Sequence, residues 1–300
     1  MNEQLLTDCT LCPRDCHVNR IKGQRGYCRE SSELVVARAA LHMWEEPCIS
    51  GEKGSGTVFF SGCAMGCVYC QNHNIAIGAA GKEITVNRLS EIFLELQAKE
   101  ANNINLVTPS HYVPQIVDAI IQAKEKGLHI PIVYNCSSYE KVETLKLLDG
   151  LIDIYLPDFK YMEDEIAIKY SNAKDYANYA KDAIAEMVRQ TGEAQFNDDG
   201  IMTKGVIVRH LTLPEYLEDS KKIIHYLYKT FGDTIYISIM NQFTPLDTVK
   251  NYPEINRKIT DEEYEELVDY AIELGVENGF IQEGETATDS FIPEFNEEGV

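Results

Sequence analysis

The stretch Thr57-Val-Phe-Phe-Ser-Gly-Cys63-Ala-Met-Gly-Cys67-Val-Tyr-Cys70 joins a run of apolar residues to three closely spaced cysteines. The apolar run predicts a buried strand, and the spacing C-x3-C-x2-C places three thiols in the loop that follows it. Soft thiolate ligands favour an iron–sulfur cluster or zinc. A four-iron cluster with three cysteine ligands keeps one iron open to an outside ligand, whereas a closed zinc site needs a fourth ligand such as His73 or Cys48.

The chain around this stretch has 300 residues, and its composition excludes several classes of protein. Hydrophobic residues make up 44%, which is ordinary for a globular protein of one large domain or two small ones. Mean hydropathy is −0.25, and no segment approaches the ~18 consecutive apolar residues of a membrane span. The N-terminus lacks a basic-then-apolar signal pattern, so we expect a cytoplasmic protein without a membrane partner.

The net charge of −21 argues against a nucleic-acid backbone as a partner, because like charges repel. Residues 259–300 hold fourteen Asp and Glu and neither Lys nor Arg, which accounts for two-thirds of that charge. This segment predicts a solvated acidic helix and tail, with a docking surface as the alternative.

Six predicted strands follow residue 56, and each is followed by a predicted helix. The strands are predicted over residues 57–61, 103–107, 132–135, 152–156, 205–210 and 234–240. The helices are predicted over residues 89–96, 116–127, 142–148, 166–189 (broken near Ser171-Asn172), 217–228 and 262–274. Strict alternation indicates an α/β fold with parallel strands and right-handed crossovers.

The alternation alone fits a doubly wound sheet, a full barrel or a partial barrel. In each of these topologies the functional groups lie at the carboxyl ends of the strands. The three cysteines follow the first strand and therefore lie at that edge.

The cysteine spacing and its surroundings resemble the iron–sulfur proteins related to pyruvate formate-lyase activating enzyme, in the radical S-adenosylmethionine (SAM) superfamily. The resemblance runs from Cys9 to about Gln282. It rests on Pro47-Cys-Ile-Ser-Gly51, Gly56-Thr-Val-Phe-Phe-Ser-Gly62, Cys67-Val-Tyr-Cys-Gln-Asn72, Val107-Thr-Pro-Ser-His-Tyr-Val-Pro114, Asp153-Ile-Tyr-Leu-Pro-Asp-Phe-Lys160 and Val208-Arg-His-Leu-Thr-Leu-Pro214.

The resemblance implies a partial (β/α)6 TIM-like barrel over residues 51–300, ending in the acidic helix and tail. It also implies a [4Fe-4S] cluster on Cys63, Cys67 and Cys70, whose open iron binds SAM. An external electron donor such as flavodoxin or ferredoxin reduces the cluster, SAM is cleaved, and a 5′-deoxyadenosyl radical abstracts hydrogen from a protein, peptide or small-molecule substrate. The activating relatives act on a backbone glycine, an activity that the sequence does not assign to this chain.

Further residues at the strand ends become candidates for binding SAM by position and by resemblance. The superfamily usually carries Gly-Gly-Glu-Pro after its second strand, whereas this chain has Thr108-Pro-Ser-His111 and no carboxylate. A similar Cys-His-Asn in the activating enzymes is here Cys70-Gln-Asn72. The cofactor-binding candidates are Tyr69, Asn72, Thr108, Ser110, Asn135, Ser137, Asp158, Lys160 and Arg209.

Three residues are predicted to take part in catalysis: Lys160, Arg209 and His111. Asp158 and Lys160 match an Asp-x-Lys motif of the activating enzymes, and their i, i+2 spacing puts both side chains on one side of an extended segment. Arg209 can grip a carboxylate in bidentate fashion. His111 is predicted to face the mouth of the barrel as an acid, base or hydrogen-bond donor, with an ordinary loop histidine as the alternative. Residues 240–242 end the sixth strand, where specificity is expected.

Residues 1–50 are predicted to form a cysteine-rich, metal-binding N-terminal extension. Its four thiols suffice to close a tetrahedral site, and the segment is too small for a hydrophobic core of its own. A structural zinc ion and an auxiliary iron–sulfur cluster both fit. The four cysteines are Cys9, Cys12, Cys16 and Cys28.

A different class of function fits the cysteines as well. A non-catalytic iron–sulfur or zinc protein, acting as an electron carrier or a binding module, would use the same thiols. Such a protein has no need of an open iron, and no need of Asp158, Lys160 or Arg209.

Overall fold

The chain folds around one large sheet, and the computed structural model describes residues 4–282 and 293–300. The strands of these residues are β1 (Leu34–His42), β2 (Ser55–Phe60), β3 (Lys82–Ile84), β4 (Ile104–Val107), β5 (Ile132–Cys136), β6 (Ile154–Pro157), β7 (Gln195–Phe196), β8 (Met202–Leu211), β9 (Tyr236–Met240) and β10 (Gly279–Ile281). The α-helices are α1 (Gln4–Thr7), α2 (Pro47–Ser50), α3 (His73–Ala76), α4 (Val86–Ala98), α5 (Val113–Glu125), α6 (Val142–Leu145), α7 (Asp164–Ser171), α8 (Tyr176–Thr191), α9 (Leu217–Phe231) and α10 (Asp261–Leu274).

The sheet is a partial barrel whose strand order is β10-β9-β8-β6-β5-β4-β2-β1-β3. All pairs from β2 to β10 along this path are parallel, which confirms the six predicted parallel strands. Crossover helices pack on the outer face, where residues such as Ile104, Tyr134 and Tyr155 join the main core. The carboxyl ends of the strands consequently meet at one edge.

The N-terminal side of the sheet differs from the predicted alternation, since β1 was not expected as a strand. It pairs antiparallel with both β2 and β3, with Ala39 opposite Val58 and Val35 opposite Glu83. Its alanines and Arg38 blur the period-two pattern from which a strand is recognised. β10 and the short β7, which pairs antiparallel with β8, were missed because they are only three and two residues long.

The predicted break in the long helical segment is confirmed as a boundary between α7 and α8. Asn172 and Asp175 take left-handed backbone conformations with φ of 47° and 60°, which ends one helix and starts the next in a new direction. Among the described residues, none of the helices is both long and apolar enough to cross a bilayer.

The segment around α2 fills the inner face of the partial barrel at its base. Cys48 and Ile49 pack against inward side chains of three strands, among them Val133, Ile154 and Ile207. The Asn103 side chain, directly before β4, donates to the carbonyl of Ile49 at 2.8 Å and fixes the segment at the start of that strand. Cys48 is thus a core residue here. The boundary predicted at residue 50 stays a prediction, although β1 is a strand of the sheet and Cys48 and Ile49 pack against its inward side chains.

The last described residues run beside β1 and account for part of the predicted acidic tail. The Ala39 N–H donates to Glu298 O at 2.8 Å, and the Glu297 N–H donates to Ala37 O at 3.0 Å. Phe295 packs edge-on against Phe59, with ring centroids 5.3 Å apart. Residues 283–292 of the tail lie outside the described residues.

Replacing Ile49 with alanine tests whether the α2 segment holds the barrel together. Ile49 is fully buried, so Ile49→Ala should lower the free energy of unfolding by about 2–5 kcal/mol through lost burial and the cavity left behind. Ile272 is 64% exposed on α10, and Ile272→Ala should change it by less than about 0.5 kcal/mol. Denaturant unfolding under reducing, anaerobic conditions measures both, and equal effects would contradict the packing role.

Candidate active site

A cavity of about 260 Å³ opens at the carboxyl ends of the parallel strands. Its lining draws on the carboxyl ends of β2, β4, β5, β6, β8 and β9 and on loops that follow these strands, as the topology requires. Twelve of the residues predicted to bind metal or cofactor line it together. These are Cys63, Cys67, Tyr69, Cys70, Asn72, Thr108, Ser110, Asn135, Ser137, Asp158, Lys160 and Arg209.

The three thiols of the loop after β2 have surroundings that suit iron–sulfur ligands. The Met65 N–H donates to the Cys63 sulfur at 3.3 Å, and the Ser171 hydroxyl donates to the Cys67 sulfur at 3.0 Å. The Asn72 N–H bonds to Cys70 in the same way. Sulfurs that accept hydrogen bonds are typical of cluster thiolates. The donor set therefore fits a cluster, although no three His, Cys, Asp or Glu side chains in residues 4–282 and 293–300 are arranged as metal ligands.

Four charged side chains form a chain of ion pairs on the cavity floor. Lys160 Nζ lies 2.7 Å from Asp158, and Arg209 Nε lies 2.9 Å from the other oxygen of the same carboxylate. Arg209 Nη1 lies 3.1 Å from Glu45, and its Nη2 donates to Asn135 Oδ1 at 2.6 Å. Burial raises the pKa of Asp158, but the charges of Arg209 and Lys160 outweigh it, so the net pKa is lowered.

Glu45 is the carboxylate that sequence reasoning missed. It comes from the segment before α2 and reaches the inner face, where Asn105 Nδ2 donates to it at 3.0 Å. Burial raises the pKa of Glu45, while Arg209 and the hydrogen bond from Asn105 lower it in part. The sequence feature that could have pointed to Glu45 is the acidic pair Glu45-Glu46, which lies between β1 and the Pro47-Cys-Ile motif. This carboxylate enters the site from an unrelated element, whereas Thr108-Pro-Ser-His111 after β4 contains none.

The loop after β4 carries backbone strain and a second buried carboxyl group. Thr108 lines the cavity with φ of 59°, a conformation that β-branched residues rarely adopt. The Ser110 hydroxyl donates to the buried Glu140. Burial raises the pKa of Glu140 to about 7, and the bond from Ser110 limits the rise. Strain of this kind concentrates at functional sites.

The prediction that His111 faces the mouth is wrong. His111 is buried behind the cavity in a 3₁₀ turn, and its Nε2 donates to Ser61 O at 2.7 Å. Burial and the charge of Arg20 lower the pKa of His111 to about 3, so the ring is neutral. His210 likewise turns away from the cavity, as the strand neighbour of Arg209, and bonds Phe159 O and Ser220 Oγ.

Buried hydroxyl groups link the aromatic wall of the cavity to a cluster thiol. Tyr69 lines the cavity, and its hydroxyl bonds that of Tyr161, which bonds Ser171 Oγ at 2.7 Å. Ser171 in turn donates to Cys67. These contacts fix the orientation of Tyr69 beside the cluster loop, and sequence reasoning did not find Tyr161 or Ser171.

At the predicted specificity region after β9, Met240 and Gln242 line the cavity. The Gln71 side chain donates to Gln242 O at 3.2 Å and joins this region to the cysteine loop. The Asn241 N–H donates to Gln282 at 2.9 Å, outside the lining. Further lining residues that the sequence did not single out include His42, Trp44, Phe59, Phe243 and Pro293.

The four N-terminal cysteines lie outside this cavity. Cys9, Cys12 and Cys28 are buried, and Cys16 is half-buried. Burial raises the pKa of Cys28 to about 11, and the neighbouring thiol of Cys9 adds to the rise. The structure therefore brings at least these thiols near one another.

A sequence model of the radical SAM superfamily matches residues 57–227, which is more than half of the chain. The chain belongs to the radical SAM superfamily. This radical SAM protein is 30% identical over 276 residues to uncharacterized protein MJ0674 of Methanocaldococcus jannaschii, a match that covers 90% of this chain and 75% of the relative. It is 31% identical over 116 residues to pyruvate formate-lyase-activating enzyme of Clostridium pasteurianum, covering 36% of this chain and 46% of that enzyme.

Solved structures share the fold at low sequence identity. Streptococcus suis SuiB bound to S-adenosylmethionine aligns with a TM-score of 0.51 at 13% identity, over 75% of this chain and 49% of SuiB. Methylornithine synthase (PylB) aligns with a TM-score of 0.50 at 14% identity, over 77% of this chain and 74% of that enzyme. This radical SAM chain thus spans about half the length of SuiB, and the superfamily implies a [4Fe-4S] cluster and SAM as cofactors.

The raised pKa of Glu140 predicts a pH-dependent stability. Because the folded protein holds a proton up to about pH 7 and the unfolded chain releases it near pH 4.5, the contribution of Glu140 should fall as pH rises through this window. Glu140→Gln should remove roughly 3 kcal/mol of that fall. Unfolding free energies of both proteins at pH 5 and pH 8 measure the difference, and parallel pH profiles would contradict it.

Proposed function

We propose that this chain is a radical SAM enzyme that cleaves SAM reductively and uses the 5′-deoxyadenosyl radical to abstract hydrogen from its substrate. The observation that carries the proposal is the shared cavity, in which three thiols face the ion-pair chain of Lys160, Asp158, Arg209 and Glu45. Superfamily membership supports the reaction type, and the donors on the thiols support the cluster.

Cys63, Cys67 and Cys70 would hold the cluster and leave one iron without a protein ligand. When bound and reduced, a [4Fe-4S] cluster supplies the electron that breaks the S–C5′ bond of SAM. The protein supplies the enclosure: Tyr69 and Phe243 pack edge to face at 5.7 Å beside the loop and help to exclude water.

The charged groups suggest a division of roles toward the methionine end of SAM. Arg209 already donates to Asp158, Glu45 and Asn135, which makes it a positioning residue in this proposal. Lys160 donates one of its three N–H bonds to Asp158, so two donors remain for the carboxylate of SAM. Ser110 and Thr108 provide acceptors for the ammonium group.

The donation from Ser110 to Glu140 supports the acceptor role. Above about pH 7, where Glu140 is ionised, its carboxylate can only accept, so it fixes the hydroxyl proton of Ser110 toward itself. The lone pairs of Ser110 then face the cavity, where an ammonium group needs them. Asn72, Asn135, Ser137 and Tyr69 complete the proposed contacts to SAM.

The substrate is proposed only by class. The partial match to pyruvate formate-lyase-activating enzyme and the SuiB structure bound to a precursor peptide favour a protein or peptide, with a small molecule as the alternative. Met240, Gln242 and the exposed Trp44 line the cavity where such a substrate would enter. An external flavodoxin or ferredoxin would supply the electron, in a cytoplasmic setting.

A non-catalytic electron carrier is the competing function, and the ion-pair chain weighs against it. Burying the four charges of this ion-pair chain costs free energy, and electron transfer alone gives no reason to bury them. A carrier also gains nothing from a strained Thr108 or from donors that point into a cavity.

Release of 5′-deoxyadenosine tests the proposed function. Anaerobically reconstituted wild type with dithionite and SAM should release it, and Cys70→Ala should abolish the release because it removes one cluster ligand. Cys48→Ala is the matched control, since Cys48 lies in the core and not in the cavity, and it should keep the activity. A wild-type protein that binds the cluster but never cleaves SAM would contradict the proposed enzymatic activity.

Replacing Lys160 with methionine tests its contact to the SAM carboxylate. A hydrogen bond from a charged donor contributes about 1.5–3 kcal/mol to binding. Lys160→Met should therefore raise the dissociation constant of S-adenosylhomocysteine, measured by calorimetry, roughly 10- to 100-fold. Lys169→Met, at an exposed lysine paired with Glu254, is the control and should leave binding unchanged. Equal affinities of the wild type, Lys160→Met and Lys169→Met for S-adenosylhomocysteine would contradict the proposed contact between Lys160 and the carboxylate.

A further inference from the structure

The segment that holds Cys9, Cys12, Cys16 and Cys28, which we call the cysteine module (residues 4–32), has little apolar material to hold it together. Its buried apolar cluster comprises Leu6, Cys9 and Leu11, with Leu5 and Val18 partly buried against them. A few apolar side chains at about 1.5–3 kcal/mol each do not offset the ordering of some thirty residues. A module of this size usually needs a disulfide or a metal.

The sulfur atoms of Cys12, Cys16 and Cys28 accept main-chain hydrogen bonds, as metal-bound thiolates do. The Tyr27 N–H donates to Cys16 Sγ at 3.3 Å. The N–H groups of Arg14 and Glu30, each two residues beyond a cysteine, bond to Cys12 and Cys28. Gly26 lies so close to Cys16 that an added Cβ would sit 3.2 Å from its sulfur. The backbone is thus folded tightly around the thiols.

We propose that Cys9, Cys12, Cys16 and Cys28 bind one structural Zn²⁺ ion, and that this ion braces the cluster loop through Arg14 and Tyr27. Four thiolates close a tetrahedral site without an open position, which is the pattern of structural zinc. Binding requires the side chains to turn toward a common centre, since the described residues contain no arranged ligand set. The fully buried Arg20, within electrostatic range of Cys28, offsets part of the thiolate charge.

Arg14 makes the first set of contacts between the cysteine module and the loop that carries Cys63 and Cys67. Its Nε donates to Ala64 O at 2.7 Å and its Nη2 donates to Met65 O at 2.9 Å, so it holds the main chain between Cys63 and Cys67. The same guanidinium donates to the carbonyls of Ser171 and Asn172. Each of these acceptors is a backbone carbonyl, so the contact depends on the shape of the loop.

Tyr27 makes the second contact between the cysteine module and this loop. Its ring lies under the Arg14 guanidinium at 3.7 Å, and its hydroxyl donates to Met65 O at 3.3 Å. Arg14 follows Cys12 by two residues, and the Tyr27 amide is bonded to Cys16. An ion that fixes Cys12 and Cys16 therefore also fixes the positions of Arg14 and Tyr27. This bracing role rests on the proposed function, in which the loop holds the iron–sulfur cluster.

Metal analysis tests the zinc site independently of SAM chemistry. A full-length variant with Cys63, Cys67 and Cys70 replaced by serine should contain about one zinc per chain, and adding Cys12→Ser and Cys28→Ser should remove it. Adding Cys48→Ser instead should leave it in place. Iron in place of zinc in the module, or zinc that survives the loss of Cys12 and Cys28, would overturn the proposal.

Cobalt substitution keeps the test decisive if the double cysteine variant does not fold. The Cys63, Cys67 and Cys70 serine variant, purified with Co²⁺ as the only added metal, should show the visible d–d and thiolate-to-cobalt absorption of a tetrahedral tetrathiolate. Absence of these bands in the folded protein would overturn the zinc site.

Cluster retention in the reconstituted wild-type background tests the brace. Arg14→Ala should keep its zinc but lose the iron–sulfur absorption to a chelator about tenfold faster or more, as the loss of charged hydrogen bonds implies. Arg25→Ala is the matched control, because Arg25 is exposed and donates to Arg29 O within the module. Equal rates for Arg14→Ala and wild type would overturn the bracing role while leaving the SAM-cleavage result unaffected.

Discussion

The guanidinium of Arg209 holds together three elements that are distant in sequence. It leaves the carboxyl end of β8 and bonds Asp158 after β6, Asn135 on β5 and Glu45 before α2. Because all partners lie on the inner face, removing the arginine would leave Glu45 buried without its cation and Asp158 paired with Lys160 alone. The cavity floor, the position of Lys160 and the seating of the α2 segment all depend on this side chain.

The strand order explains why one cation can reach so many partners. Parallel strands bring their carboxyl ends to one edge, so residues such as Asn135, Asp158 and Arg209 meet although 74 positions separate the first from the last. The α2 segment fills the base of the partial barrel and leaves the cavity at the top. The thiols enter from the loop after β2, beside Lys160.

Much of this arrangement could be predicted from the sequence, because it follows from local pattern. Six strands were recognised by their apolar runs, and Asp158 and Lys160 by their resemblance to the Asp-x-Lys motif of the activating enzymes and their position after β6. Their meeting place then follows from parallel topology alone. The residues that could not be predicted depend on contacts between distant segments. Glu45 reaches the site only because α2 packs inside the barrel, and the adjacent acidic pair Glu45-Glu46 does not by itself predict that packing.

His111 shows a different limit. Its position after β4 favoured the cavity, but the left-handed Thr108 and the following 3₁₀ turn direct its ring toward Ser61. The strand β1 was missed because its pairing with β2, rather than its own alternation, makes it a strand. Local pattern therefore predicts the parallel framework, whereas turn conformation and packing decide which side chains face the cavity.

In the proposed enzyme, Cys63, Cys67 and Cys70 hold a cluster with an open iron that binds SAM. Electron–nuclear double resonance on the reduced wild-type protein, with SAM labelled with ¹⁵N at its amino group, detects that contact. We expect a ¹⁵N hyperfine coupling to the cluster that disappears when SAM is withheld. A reduced cluster whose spectrum is the same with and without labelled SAM would contradict it.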